Sequence, residues 1–273
     1  MVNAGLRTRP AEQIWRMNDP ALLTLVETLA AGREGPALIG IAGAQGSGKT
    51  TLARAAASRL GGVALSLDDF YLKRAERTRL GRSVHPLLAV RGPPGTHNLA
   101  LADAVLDDLM AGRPALTPRF DKLADDRSAP EAIPGGARVV LMDGWCLGAT
   151  PQTDDALTTP VNALERERDR DGSWRRWTAA ALAGDYQRFF RRFDAIVHLA
   201  APDFDTVLDW RCEQEAGLLG LPPADLPTCR REEIAGFIQH FERITRHMLA
   251  GGVAATVAVR LDAGRRVIGV EAA

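Results

Sequence analysis

Short apolar runs and amphipathic stretches alternate along most of the chain. Ile14, Leu22, Leu25, Val26 and Leu29 fall at helical spacing and predict a helix over 11–31 that Gly32 stops. "ALIGIAG" (37–43) is a short apolar run that predicts a buried strand, and "SGKTTLARAAASRL" (47–60) predicts a helix with an Ala-rich face. "GGVALSL" (61–67) is the next strand, and an irregular stretch follows to about residue 97. Leu101, Val105 and Leu109 share one stripe of a helix running from Asn98 to Met110. Beyond a Pro/Gly/Asp-rich stretch expected to be loop (112–136) come the strand "ARVVLMDG" (137–144) and a long charged helical region (161–193). "DAIVHLAAP" (194–202) predicts a strand leading into a helix through Glu215, and "GLLGLPPADLP" a loop. Ile234, Phe237, Ile238, Phe241, Ile244 and Met248 mark another amphipathic helix. "VAATVAVRLD" closes the pattern as a strand, with "RRVIGV" as an edge strand. Strands alternating with helices predict an α/β fold around a mostly parallel sheet.

Composition narrows the picture. Hydrophobic residues make up 46% and charged residues 25% of the 273, as in an ordinary globular protein. The 34 basic and 34 acidic side chains cancel, so no global field would recruit nucleic acid or an anionic membrane. No signal-like segment or run of transmembrane length stands out. Cys146, Cys212 and Cys229 lie far apart and read as reduced thiols, so a cytoplasmic protein is expected. Of the 34 basic side chains only Lys49, Lys73 and Lys122 are lysine. In so Arg-biased a chain, a retained lysine hints that a slim ammonium was needed. The block "ERERDRDGSWRR" (165–176) is balanced in sign and is expected to be a solvated helix face.

"GAQGSGKT" (43–50) fits G-x-x-x-x-G-K-[ST] and lies between a predicted buried strand and a helix N-terminus, where that loop must lie to work. Gly43, Gly46 and Gly48 let the backbone curl, so that amides across Gly43, Ala44, Gln45, Gly46, Ser47, Gly48, Lys49, Thr50 and Thr51 can surround phosphate oxygens. Lys49 would reach the β- and γ-phosphates of ATP, and the Thr50 hydroxyl would ligate Mg²⁺. "RVVLMDGW" ends an apolar strand in Asp143, the expected second holder of the magnesium shell. An N-K-x-D guanine motif and an ABC-type signature are both missing, which leaves a small-molecule kinase or an ATP-driven switch.

"SLDDFYL" (66–72) places Asp68 and Asp69 side by side at a strand's end. Strand alternation would send them to opposite faces, so they cannot share one job. A solvated turn and a proton acceptor are both open readings of the pair.

These segments, together with "RGPPGTHN" (91–98), "PRFDK" (118–122), "DGWCLG" (143–148), "VLDWRCEQE" (207–215) and "VRLDAGRR", resemble the phosphate-loop kinases that include D-glycerate 3-kinase. Uridine kinase, phosphoribulokinase and pantothenate kinase are similar at greater distance. The resemblance implies a three-layer phosphate-loop NTPase fold, with helices flanking a central parallel sheet, and ATP-dependent phosphorylation of an alcohol. It makes Asp68 the general base toward the acceptor hydroxyl and Arg211 a lid residue over the transferring group. Asp143 stands where the family often has Glu, Asn98 where Asp is usual, and "ADDR" (124–127) replaces a Gly-Asp-Arg run.

One kinase domain over 1–273 is therefore expected, with an N-terminal helical extension (1–36), an acceptor-binding insert (72–136) and the charged helical segment (161–193). Arg91, His97, Lys122 and Arg127 in the insert, with Tyr71 at its edge, are the expected acceptor contacts, and so much positive charge suits a small acid, D-glycerate first. A nucleoside, pantothenate or a sugar phosphate on the same scaffold is the alternative acceptor. An ATP-dependent switch that binds a partner is the rival of a different class, and the presence of Asp68 beside an intact phosphate loop argues against it.

Overall fold

The computed structural model describes residues 20–272, so residues 11–19 of the expected first helix lie outside the described residues. The central sheet is built on β1 (Ala37–Gly43), whose neighbours β5 (Val139–Gly144) and β6 (Ala195–Ala200) run parallel to it. β2 (Val63–Ser66) pairs outside β5, and β7 (Val257–Leu261) pairs outside β6, both parallel. β8 (Val267–Ala272) closes that edge antiparallel, giving the order β2-β5-β1-β6-β7-β8.

Both faces of this sheet are covered, which is why its strands read as continuous apolar runs. Ala37, Ile39 and Ile41 of β1 face one core with α1 (Pro20–Ala30) and α2 (Lys49–Leu60). Leu38 and Ala42 face the other, with α4 (Leu99–Met110). α8 (Phe204–Leu218) packs on the first face, and α9 (Thr228–Leu249) spans both, with Ile234 and Ile238 in one core and Phe241, Ile244 and Met248 in the other. The result is three layers. Among the described residues no helix is long and apolar enough to cross a membrane.

The structure departs from the sequence reading in three places. The stretch expected to be irregular contains α3 (Arg74–Ser83), whose buried residue is Arg77 rather than an apolar stripe. The Arg77 guanidinium donates to the carbonyls of Leu72 (3.1 Å), Ala89 (2.8 Å) and Asp125 (2.6 Å), so a charged side chain does the work of a core residue. The segment expected to be loop over 112–136 forms an antiparallel hairpin, β3 (Ala115–Asp121) and β4 (Asp126–Ile133), with a register shift at Pro118. Pro in a strand is tolerated at such an irregularity, but it hides the strand from propensity.

The third departure is the charged region over 161–193, which is broken rather than one helix: α5 (Ala163–Arg168), α6 (Ser173–Ala181), a π-helical turn (Leu182–Tyr186) and α7 (Gln187–Phe190). Its charge block is only in part the expected solvated face: Arg166, Glu167, Arg168, Arg170, Asp171 and Arg176 are exposed, but three of its charges turn inward. Glu165, Asp169 and Arg175 are buried, Arg175 pairs with Asp169 (3.0 Å), and Glu165 takes two bonds from Arg243 of α9 (2.7 and 2.6 Å). Arg243 also ties the carbonyls of Ala156 (2.8 Å) and Thr159 (2.6 Å).

Removing one partner of such a pair strands the other charge inside. Arg243→Met is therefore expected to destabilise the protein by about 3–5 kcal/mol, read as a lower denaturant midpoint. A loss below about 1 kcal/mol would mean that Glu165 is not effectively desolvated.

Candidate active site

The phosphate loop joins the end of β1 to the start of α2. Gly48, at φ 91, is the residue preceding the helix, and Gly46, at φ 78, turns the loop where an added Cβ would come 2.5 Å from the Cβ of Trp210. The Ser47 N–H closes onto the Ala44 carbonyl at 3.2 Å, and the Lys49 ammonium lies 3.5 Å from the same oxygen. The first amides of α2 have no intrahelical acceptor and add the positive end of the helix dipole. Inside the loop the Ser47 Oγ and Gln45 Oε1 are buried without a partner, and the Ser47 hydroxyl is a donor that a phosphate oxygen would satisfy. Thr51 is exposed on α2.

Asp143 ends β5 beside that loop. Its Oδ1 accepts from the Thr50 hydroxyl and from the Ser66 hydroxyl, each at 3.2 Å. Burial pushes its carboxyl up, an effect that Lys49 opposes and the charge of Asp68 reinforces. A buried carboxylate with hydroxyls around it is a hard oxygen set of the kind Mg²⁺ takes alongside phosphate oxygens, and a divalent cation would restore its charge. The residues present therefore fit the metal.

Asp68 and Asp69 sit on a 3₁₀ turn, Leu67–Phe70, anchored by its buried ends. Successive residues on such a turn point about 120° apart, so the two acids do separate, through the turn rather than through strand alternation. Asp69 accepts from Arg119 (2.7 Å) and the Phe120 N–H (3.0 Å), which pins β3 to the turn. Asp68 accepts from the Tyr71 hydroxyl at 3.0 Å and from the Lys122 ammonium at 2.9 Å. Its side chain is 24% exposed, so the carboxylate can be reached from solvent. Burial pushes the Asp68 carboxyl up, but Lys122 and Lys49 outweigh it and hold the group well below the usual carboxylate range.

The structure sorts the expected acceptor residues. Lys122, near the β3–β4 hairpin tip, is the cation it brings onto Asp68. Arg127 donates to the carbonyls of Tyr71 (2.8 Å) and Phe70 (3.3 Å), and so braces the turn that carries Asp68. Arg91 pairs with Asp125 at the hairpin tip and lies 5.5 Å from the Phe120 ring centroid. His97 is buried and stacked on Tyr71 at 4.4 Å. The Gly95 N–H donates to the Tyr186 hydroxyl (2.9 Å), and that hydroxyl shares a hydrogen bond with His97 Nδ1 (2.5 Å). Burial pushes the His97 imidazole down to about 4, against the pull of Asp68, so it adds no positive charge at neutral pH.

Arg211 on α8 pairs with Glu215 at 3.0 Å, and Glu215 also holds Arg230. Asn98 caps α4, its side chain accepting from the Leu101 N–H at 3.0 Å, a task that Asp performs as well. Three residues at the site escaped the sequence reading: Ser66, Arg119 and Tyr186. The chain has only two tyrosines, and both meet at His97; that scarcity was the one available signal for Tyr186.

No family model matches the chain. An uncharacterized kinase of Schizosaccharomyces pombe, mug58, is 32% identical over 223 residues, spanning 76% of this chain and 78% of that protein. Two solved structures share the fold. D-glycerate 3-kinase from Cryptococcus neoformans var. grubii has a TM-score of 0.75 at 24% identity, over 94% of this chain and 99% of its own. The YGR205w protein has a TM-score of 0.69 at 20% identity, over 94% of this chain and 98% of its own.

The Lys122 ammonium can be tested alone. In Lys122→Met the effect of burial on Asp68 loses its nearest opponent, so the carboxyl should titrate at higher pH than in the wild type. Carboxyl ¹³C NMR of Asp-labelled protein would read the shift, and an unmoved titration would mean that Lys49 alone sets the charge of Asp68.

Proposed function

The chain belongs to a family of phosphate-loop kinases and shares the fold of D-glycerate 3-kinase, and we propose that it transfers the γ-phosphoryl group of ATP to the primary hydroxyl of a small carboxylic acid, D-glycerate above others. The observation that carries this reading is the Asp68–Lys122 pair, a carboxylate and an ammonium 2.9 Å apart at the end of a strand next to the Asp143 strand. An acceptor bearing a carboxylate would draw Lys122 to itself and turn its hydroxyl toward the freed Asp68 oxygen. The acceptor oxygen then bonds to Pγ as the bond from Pγ to the β,γ-bridging oxygen breaks, ADP leaves, and the hydroxyl proton passes to Asp68.

The remaining roles belong to the same proposal. Lys49 neutralises the β- and γ-phosphates, and the amides at the start of α2 hold their oxygens. Thr50 and Asp143 would hold Mg²⁺, which when bound spreads the charge that builds on the phosphate oxygens. Tyr71 orients Asp68 through its hydroxyl, and Arg127 keeps the turn in place. Arg91 supports the hairpin tip that presents Lys122. Arg211 reaches the transferring group by leaving Glu215, which stays paired with Arg230. A nucleoside acceptor would want a free aromatic face. The insert's one aromatic, Phe120, already has the guanidiniums of Arg77 (5.7 Å) and Arg91 (5.5 Å) over its ring and Tyr71 edge-on to it. Two buried thiols and the exposed Cys229, all unpaired, suit a reducing cytoplasm.

Asp68→Asn keeps shape and removes basicity, so kcat should fall about 10²–10⁴-fold with ATP affinity little changed. A loss under tenfold would return the turn to a structural role. Acceptor choice is checked by comparing D-glycerate with glycerol and uridine at equal concentration. The acid should be favoured strongly, and Lys122→Ala should raise its KM far more than that of ATP. Equal turnover of glycerol would end the carboxylate-pocket reading while leaving the kinase intact.

A further inference from the structure

Asp262 and Arg266, joined by the Asp262 N–H to the Arg266 carbonyl (2.9 Å), close the turn from β7 to β8 around three residues, Ala263, Gly264 and Arg265, the last in the left-handed conformation that such loops favour in glycine. Arg265 adopts it at φ 62. Among the described residues only Asp125 shares that distinction outside glycine. A long side chain kept in a strained backbone position needs a reason beyond the turn itself.

Its contacts supply one. The Arg265 Nε donates to the Gly46 carbonyl of the phosphate loop at 2.6 Å. Its Nη2 pairs with Glu213 of α8 at 2.7 Å, and its guanidinium carbon lies 5.0 Å from the centroid of the Trp210 ring. Trp210 is buried, donates from Nε1 to the Ala263 carbonyl (2.7 Å), and backs onto Gly46, so the loop has no room to retreat on that side. In a trans peptide the carbonyl and the next N–H point opposite ways. Holding the Gly46 carbonyl outward therefore holds the Ser47 N–H inward, over the Ala44 carbonyl it reaches at 3.2 Å. Lysine could keep the charge but could not donate to Gly46 and Glu213 through one rigid plane.

We propose that Arg265 is a positioning residue for the triphosphate: it touches no phosphate, but it clamps the Gly46–Ser47 peptide between α8 and the β7–β8 turn so that the loop is shaped before nucleotide arrives. This rests on the reading of the protein as an ATP-dependent kinase. Loss of the clamp lets the loop relax, and binding must then reorder it.

Arg265→Gly separates the two roles the side chain could have. Glycine suits the left-handed backbone, so the melting temperature should hold or rise, whereas the Kd for Mg·ATP measured calorimetrically should increase about tenfold or more. The KM for the acceptor should stay within about twofold, a split that general loosening would not produce. A folded Arg265→Gly protein that binds Mg·ATP within about threefold of wild type overturns the proposal. Should that variant fold poorly, Arg265→Lys decides: it should lose most of the same affinity, and full retention overturns the proposal. Wild-type protein that binds no Mg·ATP would instead refute the kinase reading on which the inference stands.

Discussion

The carboxylate of Asp143 is buried at the end of β5 and accepts one hydroxyl from each side, Thr50 from the start of α2 and Ser66 from the end of β2. Parallel pairing makes this meeting unavoidable. Ser66 lies opposite Asp143 in the β2–β5 register, and Ile41 lies opposite it in the β5–β1 register. The phosphate loop, the candidate magnesium ligand and the turn bearing Asp68 are thus brought to one edge by backbone hydrogen bonding. The price of that placement is an acid that burial makes reluctant to ionise, and it is a polar site by default. An open parallel sheet collects its ligands at such strand ends for this reason.

What the sheet does not hold, arginine does. Arg77 takes three carbonyls, Arg127 two, Arg243 two beside its carboxylate, and Arg265 one on the phosphate loop. A planar guanidinium offers several donors in fixed directions and is weakly hydrated, so it can be buried against loop carbonyls. These arginines act as struts, while most of the others lie exposed at the surface. Two of the three lysines behave differently. Lys49 and Lys122 stand at the phosphate loop and at Asp68, where a compact ammonium can trade one partner for another. Lys73 only heads α3, its N–H bonding Glu76.

The layered core, the phosphate loop and Asp143 were legible because each rests on local pattern: continuous apolar runs for doubly covered strands, and a loop motif set between strand and helix. What escaped depends on partners remote in sequence. α3 is invisible to periodicity because its buried face is Arg77. The β3–β4 hairpin is hidden by Pro118 in β3 and by a β4 exposed continuously over 128–132, which shows no apolar alternation. The block over 165–176 has the same sign balance whether its charges meet water or meet Arg243, some 78 positions from Glu165. The positive cluster expected around the acceptor thinned for the same reason. Arg127 faces carbonyls, Arg91 faces Asp125, and burial keeps His97 neutral, which leaves Lys122 as the charge beside Asp68.

A carboxylate held as acidic as Asp68 looks a poor choice of base, and the pairing with Lys122 resolves the difficulty. Phosphoryl transfer asks little of a base early, because the acceptor hydroxyl becomes acidic only as its oxygen bonds to phosphorus. On the proposed reading the acceptor's own carboxylate takes the Lys122 ammonium as it binds. Asp68 then loses the nearest charge that kept it acidic, while the burial that raises its basicity remains. The correct acceptor would therefore strengthen the base by occupying the site, and a neutral alcohol, unable to draw Lys122 away, would leave the base weak. On that reading, water entering the site would meet the same suppressed carboxylate, and the ion pair would also guard ATP against hydrolysis until an acid arrives. Selectivity and basicity would then be two readings of one 2.9 Å contact.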